Sequence, residues 1–526
     1  MPEEQVMDDA APEGNRNLGS IEAEFDRKFQ QHFVATPEFA KLLSDNCKIV
    51  AGSKGSGKTA IMRALSDIDV YKTRYFAVYG VKLDGMKFAP LIEAMKKLDT
   101  ASKQGVVAIA RTAWQNVIAV FVLEAAIEKK LLSANERGKI RKYLLDSDYV
   151  GSASDKLHGH LERVWRLLSK LSKAKKRASA DAEESLLGLH ARQQRAIDAF
   201  PGDPRLDEYL SWTRAAIRSS GKRLLICLDG LDTVVEYTLE SRDYVFAGLI
   251  DAVYKSATHP KLEGVVVKAL IPKELAHGAR GHLIRDLDKI DQYMESIHWD
   301  SDNLGAFIKR RLEEHLKTKG RPFEDVWREF FPERVRNDIH NSEEDSYQYL
   351  LRHTLFRPRQ LLKHVQNILD EWDSRFSRAP FRVDPTFIPK VVAETNYKIA
   401  EYVVNELFLD FPRLAEFLKS FRGLPSVNQW AEVASRIERY LDVKPEQVGE
   451  VFSDLYNYGI FGISQSPPAA DGKRSPMQFA FGFMTRRVEY NVASNIKDHS
   501  LVALAPVFVE YCNCKPSPFG IVSPSA

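Results

Sequence analysis

The sequence is short of several things, and each shortage removes a class of protein. Only four of its 526 residues are cysteine: Cys47, Cys227, Cys512 and Cys514. Four thiols over this length do not make a disulfide framework, which points to a reducing compartment. Cys47 and Cys227 lie in apolar runs and read as buried strand residues, while Cys512 and Cys514 form a C-x-C with no second pair to complete a zinc site. No run of about 18 apolar residues occurs, so no membrane span is expected. The first twenty residues are acidic and polar and lack an apolar h-region, so no secretory signal is expected either. The expected location is the cytoplasm. Net charge is only +3, too little to argue for nucleic acid from the total; any basic signal must be local. The H-E-x-x-H and G-x-S-x-G patterns of metalloproteases and serine hydrolases are absent, and so is the N-K-x-D of guanine-specific sites.

What is present is ordinary globular composition, 44% hydrophobic and 28% charged, in a chain long enough for about three or four domains. Residues 1–19 read as a flexible tail. Residues 20–45 carry a helical pattern with Phe25, Phe29 and Phe33, ending near Thr36-Pro37. At i, i+4, i+8 these rings suit a core face, or a place beside an adenine ring. Apolar strands are predicted at 48–51, 75–83, 223–228 and 262–271, alternating with helices, which argues for a parallel α/β sheet. Residues 86–220 are long, helical and charged and read as an insertion within a 20–300 domain. Residues 301–396 read as a helical lid. In 397–492, three helices precede strands at 459–463 and 477–483, the outline of a winged helix. Residues 493–526 read as a C-terminal extension.

The chemistry concentrates in residues 48–65, KIVAGSKGSGKTAIMRAL. Gly52, Ser53, Lys54, Gly55, Ser56, Gly57, Lys58 and Thr59 make a full G-x-x-x-x-G-K-T between an apolar strand and a helix opening at Ala60. Glycines let a backbone wrap closely around phosphate oxygens. Successive N–H groups in front of a helix N-terminus form an anion nest. Lys58 would place its ammonium on the β and γ phosphates, and the Thr59 hydroxyl would ligate Mg²⁺.

A second element follows in residues 223–233, RLLICLDGLDT. A buried strand ends at Asp229, where ligands bind in parallel sheets. Asp229 is the expected Mg²⁺ carboxylate opposite Thr59. Asp232 is the candidate for orienting the attacking water, or else a turn residue. No Asp-Glu pair occurs here, so the glutamate base of many ATPases is missing from this place.

These motifs resemble the bacterial STAND/AAA+-like P-loop ATPases related to origin-recognition ATPases, some of them found in phage-defence contexts. The resemblance implies a nucleotide domain, a helical lid and a winged helix, acting with ATP and Mg²⁺. It likens the strand at 264–271 to the sensor-1 strand, with Lys273 where an arginine often stands. His298-Trp299, Leu304 and Arg310-Arg311 resemble the entry to the lid. Phe356-Arg357-Pro358-Arg359 resembles the sensor-2 entry, so that Arg357 or Arg359 would reach the γ phosphate; the alternative for each is a surface charge or a structural ion pair.

Partner surfaces are less marked. The third helix of the winged outline, 445–458, carries Glu446, Glu450 and Asp454 and no Lys or Arg, which disfavours the phosphate backbone of DNA. Lys473, Arg474, Arg486 and Arg487 lie around the wing. Eight basic residues in 156–177 (Lys156, Arg163, Arg166, Lys170, Lys173, Lys175, Lys176 and Arg177) form either a solvated face or a site for an anionic partner. The reading is a nucleotide-driven ATPase switch with a protein partner and possible homo-oligomerisation. The alternative is a non-hydrolysing scaffold or nucleic-acid adaptor.

Overall fold

The structure is a computed structural model. It describes residues 16–68, 71, 75–82, 103–146, 204–230, 239–273, 275–276, 287–317, 319–337, 342–376, 381–408, 410–464, 477–484, 496, 500–517 and 519–522. The chain divides into two compact units: Ala35–Ile297, and Met1–Val34 with His298–Ala526.

The unit Ala35–Ile297 is a parallel sheet with helices. Its strands are β1 (Ile49–Gly52), β2 (Tyr75–Lys82), β3 (Arg223–Asp229), β4 (Val265–Pro272) and β5 (Met294–Ser296), in the order β2-β3-β4-β1-β5. Every pairing is parallel. Each residue of β1 and β4 is buried, which is why β1 reads as an apolar run and β4 as one broken only by Lys268. The fold class is therefore α/β, as the alternating pattern implies. β5 went unpredicted because three residues, Met-Glu-Ser, are too few to show a period.

The helices are α1 (Pro37–Leu42), α2 (Lys58–Asp67), α3 (Lys103–Glu128), α4 (Ala134–Asp146), α5 (Pro204–Ser220), α6 (Leu239–Ser256) and α7 (Leu287–Asp291). Pro37 opens a helix rather than closing one: Thr36 caps α1, its hydroxyl accepting from Phe39 N at 3.3 Å. The range 86–220, read as an insertion, contains α3, which belongs to the sheet's own layers. α3 packs on β2, β3, α5 and α6, and Trp114, Val117, Ile118, Val120, Phe121 and Leu123 are all buried. The basic run 156–177 lies outside the described residues.

α3 and α6 approach at backbone range. A Cβ on Gly248 of α6 would lie 2.4 Å from Ala110 Cβ and 2.7 Å from Arg111 N. Trp114 Nε1 donates to Val245 O at 3.0 Å, and Arg111 pairs with Asp251 at 3.3 Å. Among the described residues no helix is long and apolar enough to cross a membrane.

In the other unit, α8 (Ser301–Leu312), α9 (Phe323–Phe330), the hairpin β6 (Arg334–Asn337) and β7 (Ser342–Asp345), α10 (Ser346–Leu351) and α11 (Pro358–Phe376) surround one core. Leu304, Ile308, Trp327, Phe330, Leu361, Val365 and Leu369 fill it. Then come α12 (Phe387–Glu406), α13 (Leu414–Lys419), β8 (Val427–Gln429), α14 (Trp430–Leu441), α15 (Val448–Asn457), β9 (Phe461–Ser464), β10 (Met477–Phe481), β11 (Leu501–Leu504), α16 (Pro506–Cys512) and β12 (Phe519–Val522).

Three expected boundaries move. The division at 396/397 falls inside α12, whose Ile388 and Val392 enter the first core while Ile399 and Val403 enter a second. The extension 493–526 is built into that second core: β11 pairs antiparallel with both β8 and β9, β12 pairs parallel with β10, and the sheet runs β12-β10-β9-β11-β8. Arg16 and Leu18, inside the tail expected over 1–19, are buried, the rest of that range up to residue 15 lies outside the described residues, and residues 20–34 group with His298–Ala526 rather than with the parallel sheet. Of the three phenylalanines, Phe29 is core and Phe25 is 71% exposed, because a 3-10 turn, Ala23–Phe25, and a short helix, Phe29–His32, replace a single helix.

A buried polar cluster joins the turn after α10 to α11 and α12. Asn396 Nδ2 donates to His353 Nδ1 at 2.8 Å, and His364 Nε2 donates to His353 O at 3.1 Å. Burial holds both imidazoles neutral, His353 well below its usual range and His364 down to about 4; Arg352 beside the first and Lys363 beside the second add to this.

Two predictions follow from this packing. Gly248→Val should destabilise the protein by about 2 kcal/mol or more, read as a lowered thermal midpoint, because a branched side chain there meets backbone. An unchanged midpoint would show that α3 and α6 slide apart freely. On acidification, unfolded histidine takes up a proton near pH 6.5, whereas His364 does so only near 4. Stability should therefore fall as pH drops across that window. In urea titrations His364→Gln should flatten this dependence, and an equally steep loss in the variant would assign it to other groups.

Candidate functional site

The carboxyl edge of the parallel sheet is where the sequence motifs meet. β1 and β4 are neighbours, but the chain leaves them in opposite directions, from β1 to β2 at one edge and from β4 to β5 at the other. Such a switch point opens a crevice beyond the strand ends. The register sets Gly52 level with Pro272 and Ala51 level with Ser296.

From Gly52 the chain turns through Ser53–Gly57 into α2. Ser56 N donates to Ser53 O at 3.1 Å, and Ile61 N donates to Gly57 O at 3.0 Å as the helix begins. Gly55 and Gly57 adopt φ of 81° and 100°, left-handed values that suit glycine. A Cβ on Gly52 would lie 2.4 Å from Ser56 Oγ and 2.9 Å from Ile297 Cδ1, so the loop is folded against the strand end with no room for a side chain. Ile297 is held there by its N–H, which donates to Ala51 O at 2.8 Å. This backing residue has no motif of its own; only the unpredicted β5 would have pointed to it.

Lys58 is 5% exposed. Its Nζ donates to Gly52 O at 2.9 Å and Ser53 O at 3.3 Å, so the ammonium lies over the loop it follows. Lys54 is exposed; Thr59 and Ala60 are half-buried in the first turn of α2. The apolar face of α2, Ile61, Met62, Ala64 and Leu65, is buried and fixes the helix. Loop N–H groups, a helix N-terminus and a lysine ammonium together suit a multiply charged anion.

Asp229 closes β3 and is 3% exposed. Its predecessor Leu228 pairs with Ala269 of β4, so Asp229 leaves the sheet at the same edge as Gly52, one strand removed. Lys273 follows Pro272 directly and is half-buried, which puts it at the level of the loop. Asp232 lies outside the described residues. Cys227, inside β3, is pushed up to about 12 and Cys47 to about 11, chiefly by burial, so neither thiol is a nucleophile here. Among the described residues no group of three or more His, Cys, Asp or Glu is placed to hold a metal.

Sequence reasoning passed over Lys268, a buried lysine in the middle of β4. Its Nζ donates to Ser44 O at 2.8 Å and to Cys47 O. Burial lowers its pKa, and it sits at the amino end of β1, far from the loop edge. Its place is structural.

In the other unit Arg357 is buried before α11, and its Nη1 pairs with Glu406 Oε2 at 3.2 Å. Arg359 is exposed on the first turn of α11. The two residues ahead of Arg357, Leu355 and Phe356, have φ of 46° and 53°, a conformation that costs an L-residue about 1–2 kcal/mol each. Glu446 and Glu450 are exposed and Asp454 half-buried; Lys473, Arg474, Arg486 and Arg487 lie outside the described residues.

Residues 302–379 match one family model, the FunZ-associated C-terminal helical domain. The match runs from α8 through α11 and covers well under half of the chain. No curated protein matches the sequence.

The loop geometry predicts that inorganic tripolyphosphate raises the thermal midpoint of the wild-type chain. Gly52→Ala, which drives a methyl into Ser56 and Ile297, should lose that rise. A rise of equal size in the variant would place the anion elsewhere.

Proposed function

We propose that the chain is a P-loop ATPase that binds ATP with Mg²⁺ at the carboxyl edge of the parallel sheet and uses the terminal phosphate as a conformational signal. The observation that carries this reading is the G-x-x-x-x-G-K-T sequence lying on a strand–loop–helix, with Lys58 folded over the loop and the buried Asp229 at the same edge. The groups fit the ligand: Gly52–Gly57 would supply N–H donors to phosphate oxygens, and Lys58 would turn from the Gly52 and Ser53 carbonyls to the β and γ phosphates. Thr59 and Asp229 would hold Mg²⁺, a cation that keeps most of its waters and asks few protein ligands. Hydrolysis would be phosphoryl transfer to water, driven by position and charge rather than by covalent chemistry.

One observation favours slow turnover. The residue after Asp229 is Gly230, so the carboxylate base expected beside the metal ligand in fast ATPases has no place there. Asp232 is left as the residue to orient water. This supports the second reading, a nucleotide-bound switch or scaffold with little hydrolysis. Roles for Arg357 and Arg359 in sensing the γ phosphate, the winged-helix reading of α13–α15 with β9 and β10, and a place in phage defence rest on the family resemblance. The exposed Glu446 and Glu450 favour a protein partner over duplex DNA for that part of the chain.

The test is phosphate release and fluorescent-nucleotide binding on the same preparation. Wild type is expected to bind in a Mg²⁺-dependent way and to turn over steadily. Lys58→Ala should lower the rate by about 100-fold. Equal binding by wild type and variant would sink the assignment of the site; binding lost in the variant without measurable wild-type turnover would select the switch or scaffold.

A further inference from the structure

Residues 16–34 lie on the helical part of their unit as a peptide ligand lies in a receptor, without regular structure up to a 3-10 turn at Ala23–Phe25 and then in a short helix at Phe29–His32. Only Arg16, Leu18, Asp26, Phe29 and His32 are buried, and most residues between them are exposed. Anchors separated by solvent-facing spacers are the pattern of a bound peptide.

The anchors are specific. Arg16 is 1% exposed. Its backbone N and Nε donate to Asp373 Oδ2 at 3.0 and 3.1 Å, Nη2 donates to Asp373 Oδ1 at 2.6 Å, and Nη1 donates to Phe381 O at 2.6 Å. The guanidinium lies 4.7 Å from the ring centroid of Phe381 and 5.7 Å from that of Phe330. A planar fork with two carboxylate oxygens and two aromatic walls is a site for arginine and a poor one for lysine. Gln366 reads the backbone on both sides of Asn17: its Oε1 accepts from Leu18 N at 2.9 Å and its Nε2 donates to Arg16 O at 3.0 Å. The Leu18 side chain belongs to the same core as Leu304 and Ile308. A second ion pair runs in the opposite sense: Arg311 Nη1 donates to Asp26 Oδ2 at 3.1 Å and to Leu18 O at 2.8 Å. The segment thus offers a cation and then an anion, and the surface answers with an anion and then a cation.

Asp373 and Gln366 belong to α11, Phe330 to α9 and Arg311 to α8, all within 302–379. We propose that this face is a recognition site for an extended Arg-x-Leu segment. It is filled in cis by Arg16–Leu18 and open to a partner protein that carries the same pattern. Tethering gives the cis segment a local concentration in the roughly millimolar range, so a partner displaces it only when tightly bound or multiply attached. Displacement releases the stretch that runs on to α1. The proposal is independent of the nucleotide reading.

The experiment uses the full chain. An acetylated, fluorescent peptide of residues 14–24 is titrated into the Arg16→Ala chain and followed by anisotropy. Saturable binding is expected. It should weaken by about 30-fold or more with a peptide in which Arg16 is replaced by alanine, and equally when Asp373→Asn is added to the protein. Absence of saturable binding, or equal binding of both peptides, overturns the proposal. If the Arg16→Ala chain does not fold, the wild-type chain decides. Tryptic cleavage after the exposed Arg27 and Lys28 should speed up with excess arginine peptide and not with the alanine peptide. An unchanged rate overturns it.

Discussion

A parallel sheet cannot leave a face in water, and most of Ala35–Ile297 follows from that constraint. β1 and β4 are buried along their whole length, so helices must cover both sides and the connections must pass across the sheet. The most apolar of those helices, α3, sits so close to α6 that only glycine fits at position 248. Because strands run the same way, their carboxyl ends share one edge. Residues far apart in the chain, Gly52, Asp229 and Lys273, are brought to that edge by sheet order alone. The loop after β1 is therefore a consequence of the scaffold as much as of its glycines.

The other unit solves a different problem. Its helices enclose two small cores, and α12 contributes to both. Several charged groups caught between the helices are neutralised or paired: His353 and His364 are held uncharged by burial, and Arg357 answers Glu406. The backbone distortion at Leu355 and Phe356 delivers Arg357 to that pair. Strain of this kind persists only where surrounding structure over-determines it, and here Thr354 is wholly buried and α11 begins immediately after.

The loop after β1 and the segment at Arg16 use charge differently. Lys58 Nζ donates to the carbonyl oxygens of Gly52 and Ser53, and a phosphate is a stronger acceptor than a carbonyl. Arg16 and Arg311 meet carboxylates as well as carbonyls, and removing one partner of an ion pair sealed from water leaves a buried charge at high cost. The first arrangement is suited to a small anion and the second to a peptide.

Local signals in the sequence were enough for the long apolar strands, for the glycine loop with Lys58 and Thr59, and for the carboxylate that ends β3. In each, the chemistry lies in consecutive residues: an apolar run, a turn that needs glycine, a helix start. Tertiary structure alone decided the rest. β5 is too short to carry a period, yet it supplies Ile297 behind Gly52. α3 looked like part of an insertion because a helix with so many buried apolar residues has only a weak polar face to mark its role. Arg16 looked like tail because its partner, Asp373, is 357 residues away in the sequence. β11 and β12 looked like an extension until pairing placed them in the sheet. Such features depend on contacts between distant residues, and a single sequence carries no local trace of which distant residue will arrive.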